Sequence, residues 1–266
     1  MSQARSTVVL AAVALCLAGG AGAMPLQEPE RAEDALSAQG RMDSIPDSWR
    51  RRKGATTFTV RIENISPPDA MVESHSKSWP AGMSHGNYAV YHRGSPLFEP
   101  GKPAVPGSGL EELAEDGNVR SLQAYLFRHP DVLEGGIFYK PVGAAKDEEL
   151  WPGKVYEFEV AANPGDMLSF ATMLMQSNDA FYGPADGAIA LFDEAGRPIS
   201  GDISSRIIVW DAGTEVNQKG GFGPDAGMFQ RGQNTGPAEH APVQPINDGY
   251  YYPPGEAVLR VTISPH

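Results

Sequence analysis

Eight short runs that are rich in apolar residues, separated by glycine, proline, asparagine and aspartate, constrain the fold of this chain most strongly. In the first run, Phe58, Val60 and Ile62 alternate with polar residues, as a strand with one solvated face requires. The runs lie at 56–65, 87–92, 136–142, 154–162, 167–176, 188–193, 205–213 and 257–263. They predict an all-β fold, an antiparallel sandwich or barrel.

One helical interlude interrupts the strands. Ser108 stands three residues before Glu111, which is the spacing of a capping box at the start of a helix, and Gly117 is a stop signal. The residues 119–130 predict a second short helix that ends at a proline. The long segment 217–248 is rich in glycine, proline and amides, which is typical of an irregular loop with a functional or mobile role.

The amino-terminal end has the pattern of a secretory signal peptide. Arg5 precedes an apolar run at 8–18, and small residues follow up to Ala23. This predicts a signal peptide over 1–23 that is cleaved near Ala23, and hence a secreted or periplasmic protein. The apolar run is short for a membrane span, so we expect no transmembrane segment in the mature chain.

Two segments follow the predicted signal peptide. Residues 24–54 hold few apolar side chains and predict a flexible leader, whereas 55–266 would form the β domain. Cys16 is the only cysteine and lies inside the signal peptide, so the mature domain is expected to contain no disulfide. Its stability would then come from the core or from bound metal.

The charge of the chain argues against a nucleic-acid partner. There are 33 acidic against 21 basic residues, a net charge of −12, whereas binding to a phosphate backbone requires basic patches. One basic cluster, at 50–53, lies beside polar leader sequence and is interpreted as a solvated run or a processing site.

The motifs of familiar enzyme classes find little support. The sequence "GMSHG" at 82–86 fits the form of a hydrolase nucleophile elbow around Ser84, but a strand-like run follows it where an elbow would open a helix. A loop is therefore the favoured interpretation of Ser84. The six histidines show no zinc-protease spacing, and no glycine-rich phosphate-binding motif is present.

Carboxylates are the more informative candidates, since several fall at strand ends beside turn residues: Asp179, Asp186, Asp193, Asp211 and Glu215. Loops at one end of a sandwich can present hard oxygen ligands to Ca²⁺ without regular sequence spacing. Two alternatives stay open at this point. The acids can simply bond their own turns, or a pair of them can serve a glycoside hydrolase.

Five segments from about Thr56 to the carboxyl terminus resemble, in order, the motifs of a known family: "FTVRIENIS", "SPLFEPGKPAVPGSGLEELAEDGNVRSL", "LSFATMLMQSNDAFYG", "WDAGTEVN" and "NDGYYYPPGEAVLRVTI". Through them the chain resembles the spondin domain, a family found in F-spondin and mindin and also as stand-alone exported bacterial proteins. The segment "WDAGTEVN", which is similar to an Asp-Ala-Gly-Thr-Asp motif, is the most specific of them. The cysteines of the animal domains are absent, so their disulfides and integrin binding are not carried over.

The resemblance implies a C2-like β-sandwich with a Ca²⁺ site in loops at one end and a role in adhesion instead of catalysis. The motif aspartates fall on Asp179 and Asp211, with Asp186 and Glu215 as further metal ligands. Glu159 would join them if its strand face turned toward the site. The partner would be an unknown surface or matrix protein or glycan.

Two other hypotheses remain. The first is an exported carboxylate-dependent hydrolase that uses the acids near 211–215 or a histidine such as His92. The second is a purely structural domain without metal.

Overall fold

The computed structural model describes residues 54–74 and 77–266 of the chain. The predicted signal peptide, nearly all of the predicted leader and the basic cluster at 50–53 lie outside the described residues. All described residues belong to a single compact unit.

The described residues form thirteen strands and three short helices. The strands are β1 Thr56–Asn64, β2 Met71–Ser74, β3 Lys77–Trp79, β4 Met83–Tyr91, β5 Val132–Phe138, β6 Val155–Ala162, β7 Met167–Leu174, β8 Ala180–Pro184, β9 Ile189–Ala190, β10 Gly201–Asp202, β11 Ile207–Asp211, β12 Gln244–Pro245 and β13 Leu259–Pro265. The helices are α1 Leu110–Asp116, α2 Val119–Arg128 and α3 Gly255–Val258. A 3₁₀ turn, Ser204–Arg206, precedes β11.

The strands build two main antiparallel sheets. The smaller has the order β10-β13-β1-β6, and the larger has the order β12-β11-β8-β7-β4-β5, with β9 beside β7. A separate hairpin pairs β2 with β3. In β1, Val60 lies between Phe158 of β6 and Ile263 of β13, so apolar residues of neighbouring strands share one face. The prediction of an all-β antiparallel sandwich is confirmed.

The main core lies between the two sheets, where the alternation of the sequence places every second side chain. Phe58, Val60 and Ile62 of β1 are fully buried in it, as is Phe170 of β7. Each such side chain stabilises the fold by about 1.5–3 kcal/mol when it leaves water. The other face of β1, which the sequence predicts to be solvated, carries ion pairs such as that of Arg61 with Glu157.

A second core covers the outer face of the larger sheet. Leu110 and Leu113 of α1 and Leu122 of α2 are buried there against sheet residues that include Phe181 and Trp210. The successive residues Phe181 and Tyr182 of β8 belong to different cores, as neighbouring positions of a strand must when both faces are covered. The two helices therefore form a third layer, which packs mainly on β7, β4 and β5, and α1 also contacts β8.

The helix ends match the sequence in part. The predicted capping box at Ser108 is wrong: the N-cap of α1 is Gly109, in the left-handed conformation at φ 95°, and it makes no side-chain cap hydrogen bond. Ser108 accepts a long hydrogen bond from the Leu110 amide at 3.4 Å. Gly117 ends the helix at φ 67°, as predicted. The helix α2 stops at Arg128, two residues before the proline.

Two strands near the candidate carboxylates differ from the sequence prediction. The sequence predicts no strand at β8, because its segment "SNDAFYGPADG" is rich in residues that are typical of turns. Gly183 fits there because a Cβ atom would lie 2.8 Å from the Phe170 carbonyl oxygen. The predicted strand at 188–193 is reduced to the two residues of β9. None of the helices in the described ranges is long and apolar enough to cross a membrane.

Candidate functional site

The pairing of β8 with β11 brings two of the predicted acids together. Asp211, the last residue of β11, lies opposite Ala180, the first residue of β8. Asp179 is the residue immediately before Ala180. Both carboxylates leave water almost completely, since Asp179 is 0% and Asp211 is 3% exposed. The turn between β7 and β8 and the loop after β11 therefore meet at this end of the larger sheet.

Asp179 has one satisfied and one unsatisfied carboxylate oxygen. Its Oδ2 accepts from the backbone amides of Thr214 and Glu215 at 3.0 and 3.1 Å. Its Oδ1 is buried and has no hydrogen-bond partner among the residues that the structure describes. Burial, and then the charge of Asp211, raise the pKa of Asp179 well above its usual range, and the two backbone amides only partly oppose this. Asp179 is thus a carboxylate that lacks a compensating positive charge.

Asp211 holds the shape of the loop that follows it. Its Oδ1 accepts from the Gly213 amide two residues on, at 2.7 Å, and its Oδ2 accepts from the Asn217 side chain at 2.9 Å. Gly213 has φ 68°, and a Cβ atom there would lie 2.4 Å from the Ala241 carbonyl oxygen. The segment Asp-Ala-Gly-Thr is therefore a turn that directs two amides at Asp179.

Glu215 is the third acid of this cluster. It is buried, and its Oε1 accepts from the Gly236 amide at 2.8 Å, while Oε2 has no hydrogen-bond partner. Burial raises the pKa of Glu215, and the Gly236 amide and the nearby Asn178 side chain oppose the rise. A Cβ atom on Gly236 would lie 2.1 Å from Oε2, so this position admits no side chain without rearrangement.

Glu115, on α1, is a member of the cluster that the sequence analysis missed. It is buried, and burial raises its pKa to about 7, against the effect of the Thr214 hydroxyl and with a contribution from the Glu215 charge. Four of the seven residues of α1 are acidic, and the helical pattern alone does not reveal which of them faces inward. The packing of α1 against the loop after β11 decides this.

The structure places other candidates elsewhere. Asp186 is exposed and follows the opposite end of β8, where the Ala185 amide bonds to the Arg206 carbonyl oxygen. Asp193 bonds its own turn through the Ala195 and Arg197 amides. Glu159 lies on β6 of the smaller sheet, on the solvent side. His92 follows β4 and pairs with Asp166, before the start of β7.

The cluster formed by Asp179, Asp211, Glu215 and Glu115, which we name the acidic cluster, lacks balancing cations. Within the part of the chain that the structure describes, no Lys, Arg or His forms an ion pair with any of the four. Seven buried side-chain polar atoms in the described ranges have no hydrogen-bond partner, and three of them belong to this region: Asp179 Oδ1, Glu215 Oε2 and Asn217 Oδ1. All three are oxygens that can accept but receive nothing.

The Asp, Glu, His and Cys side chains do not by themselves form a metal cage. Among the described residues, no three or more of them come together in an arrangement that holds a metal ion. Ca²⁺, however, takes six to eight oxygens and accepts amide oxygens, backbone carbonyls and water among them. The oxygens of Asp179, Glu215 and Asn217 are of the type that this ion uses.

An open cleft of about 350 Å³ adjoins the acidic cluster on the Asp211 side. Its polar lining consists of three carboxylates and three amides: Asp211, Glu239, Asp248, Asn217, Gln244 and Asn247. Tyr250 and Val216 complete the wall. We name this feature the amide cleft. The long loop that forms most of it is tied down, since the amides of Glu239 and Ala241 bond the carbonyls of Thr214 and Gly213.

Ser84 does not lie on a nucleophile elbow. It belongs to β4, so the loop interpretation of this residue is wrong as well, and its hydroxyl donates to the His85 carbonyl oxygen and accepts from the Met173 amide. Burial lowers the pKa of the adjacent His85, which keeps that ring neutral. The small pocket beside both residues, about 90 Å³, is formed in part by Asp116 and Glu149.

Comparison of the chain with models of protein families finds no match, and comparison with curated proteins finds none. The resemblance to the spondin domain accordingly stays a hypothesis that rests on the sequence motifs. The fold and the geometry of the acidic cluster are independent of it.

Proposed function

We propose that this protein is an exported, non-catalytic β-sandwich that binds one Ca²⁺ ion at the acidic cluster and makes adhesive contacts with a surface or matrix partner. Asp179 and Glu215 would hold the ion through their unpartnered oxygens, and Asn217 would add an amide oxygen. Asp211 would shape the loop and contribute negative charge.

The observation that carries the proposal is the unpartnered Asp179 Oδ1 in a fully buried carboxylate. A buried carboxylate without a cation is costly, and the cost falls when the group binds a proton or a metal ion. The raised pKa of Asp179 reflects the first of these, the binding of a proton. The surrounding acceptor oxygens, which a single proton cannot satisfy together, support the second.

The ion would act on stability and on the shape of the loops. It would link the turn before β8 to the loop after β11, and that loop borders the amide cleft through Val216 and Asn217. Binding to the folded state alone would stabilise it by an amount that grows with the logarithm of the ion concentration. Calcium would thus fix the end of the sandwich that faces the partner.

A thermal titration at pH 8 tests this function. We expect CaCl₂ to raise the melting temperature of the purified protein, EDTA to reverse the rise, and Asp179→Asn to abolish it. Asp186→Asn is the matched control, because Asp186 is exposed at the other end of β8. Calcium that leaves the melting temperature of the native protein unmoved, or stabilises the Asp179→Asn variant equally, contradicts the proposal.

A glycoside hydrolase is the second candidate, and one observation favours it. Glu239 lines the amide cleft together with Asp211 and Asp248, and burial, followed by the charges of those two acids, raises its pKa. A general acid beside an ionised carboxylate is the arrangement that glycoside hydrolysis uses. Release of reducing sugar that Glu239→Gln abolishes would establish this activity, and intact oligosaccharides after long incubation would exclude it for the sugars tested.

A further inference from the structure

We infer that the amide cleft is a binding site for a neutral sugar of a surface glycan. This deepens the proposed function by naming the chemical class of its partner, and it rests on the contact role in that function and not on the calcium ion. The site is separate from the unpartnered oxygen of Asp179, which is fully buried.

The polar lining matches the hydroxyl groups of a sugar. A sugar hydroxyl donates one hydrogen bond and accepts others, so neighbouring hydroxyls need carboxylates and amides side by side. In the cleft, Asp211 Oδ2 receives the Asn217 amide at 2.9 Å and the Gln244 amide at 3.5 Å. Asp211, which is only 3% exposed, therefore holds the Asn217 and Gln244 side chains in fixed orientations before a ligand arrives, which reduces the cost of ordering on binding.

The aromatic wall supplies the contact that the apolar face of a sugar ring requires. Tyr250 is 47% exposed although it lines the cleft, and Val216, also exposed, lies in the same wall. The Tyr250 amide donates to Asp248 Oδ1 at 2.9 Å, so the turn that carries the tyrosine is fixed. A planar side chain beside carboxylates and amides can pack on C–H groups while its neighbours bond the hydroxyls.

Charge selects among sugars. Among the described residues, the lining contains three carboxylates and no Lys, Arg or His. An anionic ligand such as a uronic acid or a sugar phosphate would meet like charge without a counter-ion, which costs binding free energy. The cleft thus favours neutral sugars and excludes phosphate-rich polymers, in agreement with the net charge of −12.

The size of the cleft sets the expected affinity. Its volume of about 350 Å³ is near the lower end of the ~300–1,000 Å³ that small-molecule sites usually have. It therefore admits one or two sugar rings at the end of a chain. We expect weak binding, with a Kd on the order of 1 mM, so that several copies on one surface would be needed for firm attachment.

Saturation-transfer NMR on the purified protein in CaCl₂ tests the inference, with glucose, galactose, mannose, N-acetylglucosamine and their disaccharides as probes. We expect signal from at least one neutral sugar, and a much weaker signal from glucuronic acid. Tyr250→Ala should weaken binding about tenfold, and Gln244→Ala should also weaken it. Tyr251→Ala is the matched control, since Tyr251 is 63% exposed and does not line the cleft.

Three results would overturn the inference: no signal from any neutral probe with folded protein, equal binding of glucuronic acid, or equal losses in the Tyr250 and Tyr251 variants. The calcium proposal fails separately. Sugar binding without any calcium stabilisation would overturn the ion site and leave the cleft standing, whereas calcium stabilisation without sugar binding would do the reverse. Both substituted tyrosines are exposed, so the variants are expected to fold.

Discussion

At the scale of single residues, the free energy of this site depends on how one carboxylate is satisfied. Asp179 Oδ2 has two backbone donors, and Oδ1 has none. A substitution that removes the charge, but keeps an oxygen that accepts from the two backbone amides, should stabilise the folded protein in the absence of metal. The same substitution should remove the stabilisation of the protein by calcium.

We predict that Asp179→Asn stabilises the metal-free protein in EDTA at pH 8, because the pKa of the native carboxyl group is raised in the folded state and its ionisation at this pH therefore favours the unfolded chain. Urea unfolding of both proteins measures this. Asp186→Asn should change the free energy of unfolding by less than about 0.5 kcal/mol. Destabilisation by Asp179→Asn in EDTA would show that the native carboxylate is already compensated.

The turn after Asp211 allows a second prediction. Gly213→Ala should destabilise the protein by about 2–4 kcal/mol, since it adds a Cβ atom 2.4 Å from the Ala241 carbonyl oxygen to the strain of a positive φ. Gly143→Ala is matched for φ, 78°, but has open space and should cost only about 1 kcal/mol. If chemical denaturation shows equal losses of unfolding free energy in the two variants, the turn can move to accommodate the added Cβ atom.

At the scale of elements, α1 contributes more than its apolar face. Leu110 and Leu113 anchor it on the larger sheet, and this docking carries Glu115 into the acidic cluster. The loop after β11 closes over the same residues, as Gln230 bonds both the Glu115 carbonyl and Asp116 Oδ1. The helix and the loop thus share a boundary where carboxylates are buried.

This burial gives the metal-free protein a pH dependence of known sign. The pKa of Glu115 is raised from 4.5 to about 7, so the folded state holds its proton more tightly, and stability falls as the pH rises through that range. We expect a loss of roughly 1–2 kcal/mol from this residue after solvent screening. Glu115→Gln should flatten the profile measured in EDTA by unfolding at successive pH values. A profile unchanged by this substitution would show that Glu115 is solvated.

The elements differ in how far the sequence reveals them. Alternation identifies β1 and β6 almost to the residue, because a strand with one wet face must alternate. It misses β8, which is buried on both faces and contains a glycine and a proline that suggest a turn. It also misplaces the cap of α1, since the choice of Gly109 over Ser108 depends on the close approach of Gly109 to Ser121 and Leu122 of α2.

At the scale of the whole molecule, two cores share one sheet. The larger sheet packs on the smaller one with one face and on α1 and α2 with the other, and all of these elements lie between Thr56 and Pro265. The first strand of the domain, β1, begins at Thr56. The acidic cluster and the amide cleft both lie at the end of the larger sheet where β8 begins and β11 ends.

We predict that a chain lacking residues 1–53 folds cooperatively and melts within about 2 °C of the chain that retains 24–53, because the described residues of both cores lie between Phe58 and Ile263. Circular dichroism and calorimetry would measure this. A larger loss of melting temperature would mean that the leader packs on the domain.

The candidate site could be predicted only in part. Position at strand ends marks Asp179 and Asp211 together with Asp186 and Asp193, and the resemblance to the spondin domain is what singles out the first two. Glu115 and the amide cleft depend on contacts between segments far apart in the chain, and the exposure of Asp186 depends on the direction of β8. No local spacing encodes these relations, because tertiary packing creates them.

The most direct test of the central claim is an anomalous-scattering experiment on crystals grown with CaCl₂. We predict one strong peak about 2.3–2.6 Å from Asp179 Oδ1, with Glu215 Oε2 or Asn217 Oδ1 in the same coordination shell. The peak should disappear in crystals of the Asp179→Asn variant. A calcium peak that lies only elsewhere, or an acidic cluster without one at saturating CaCl₂, would contradict the claim.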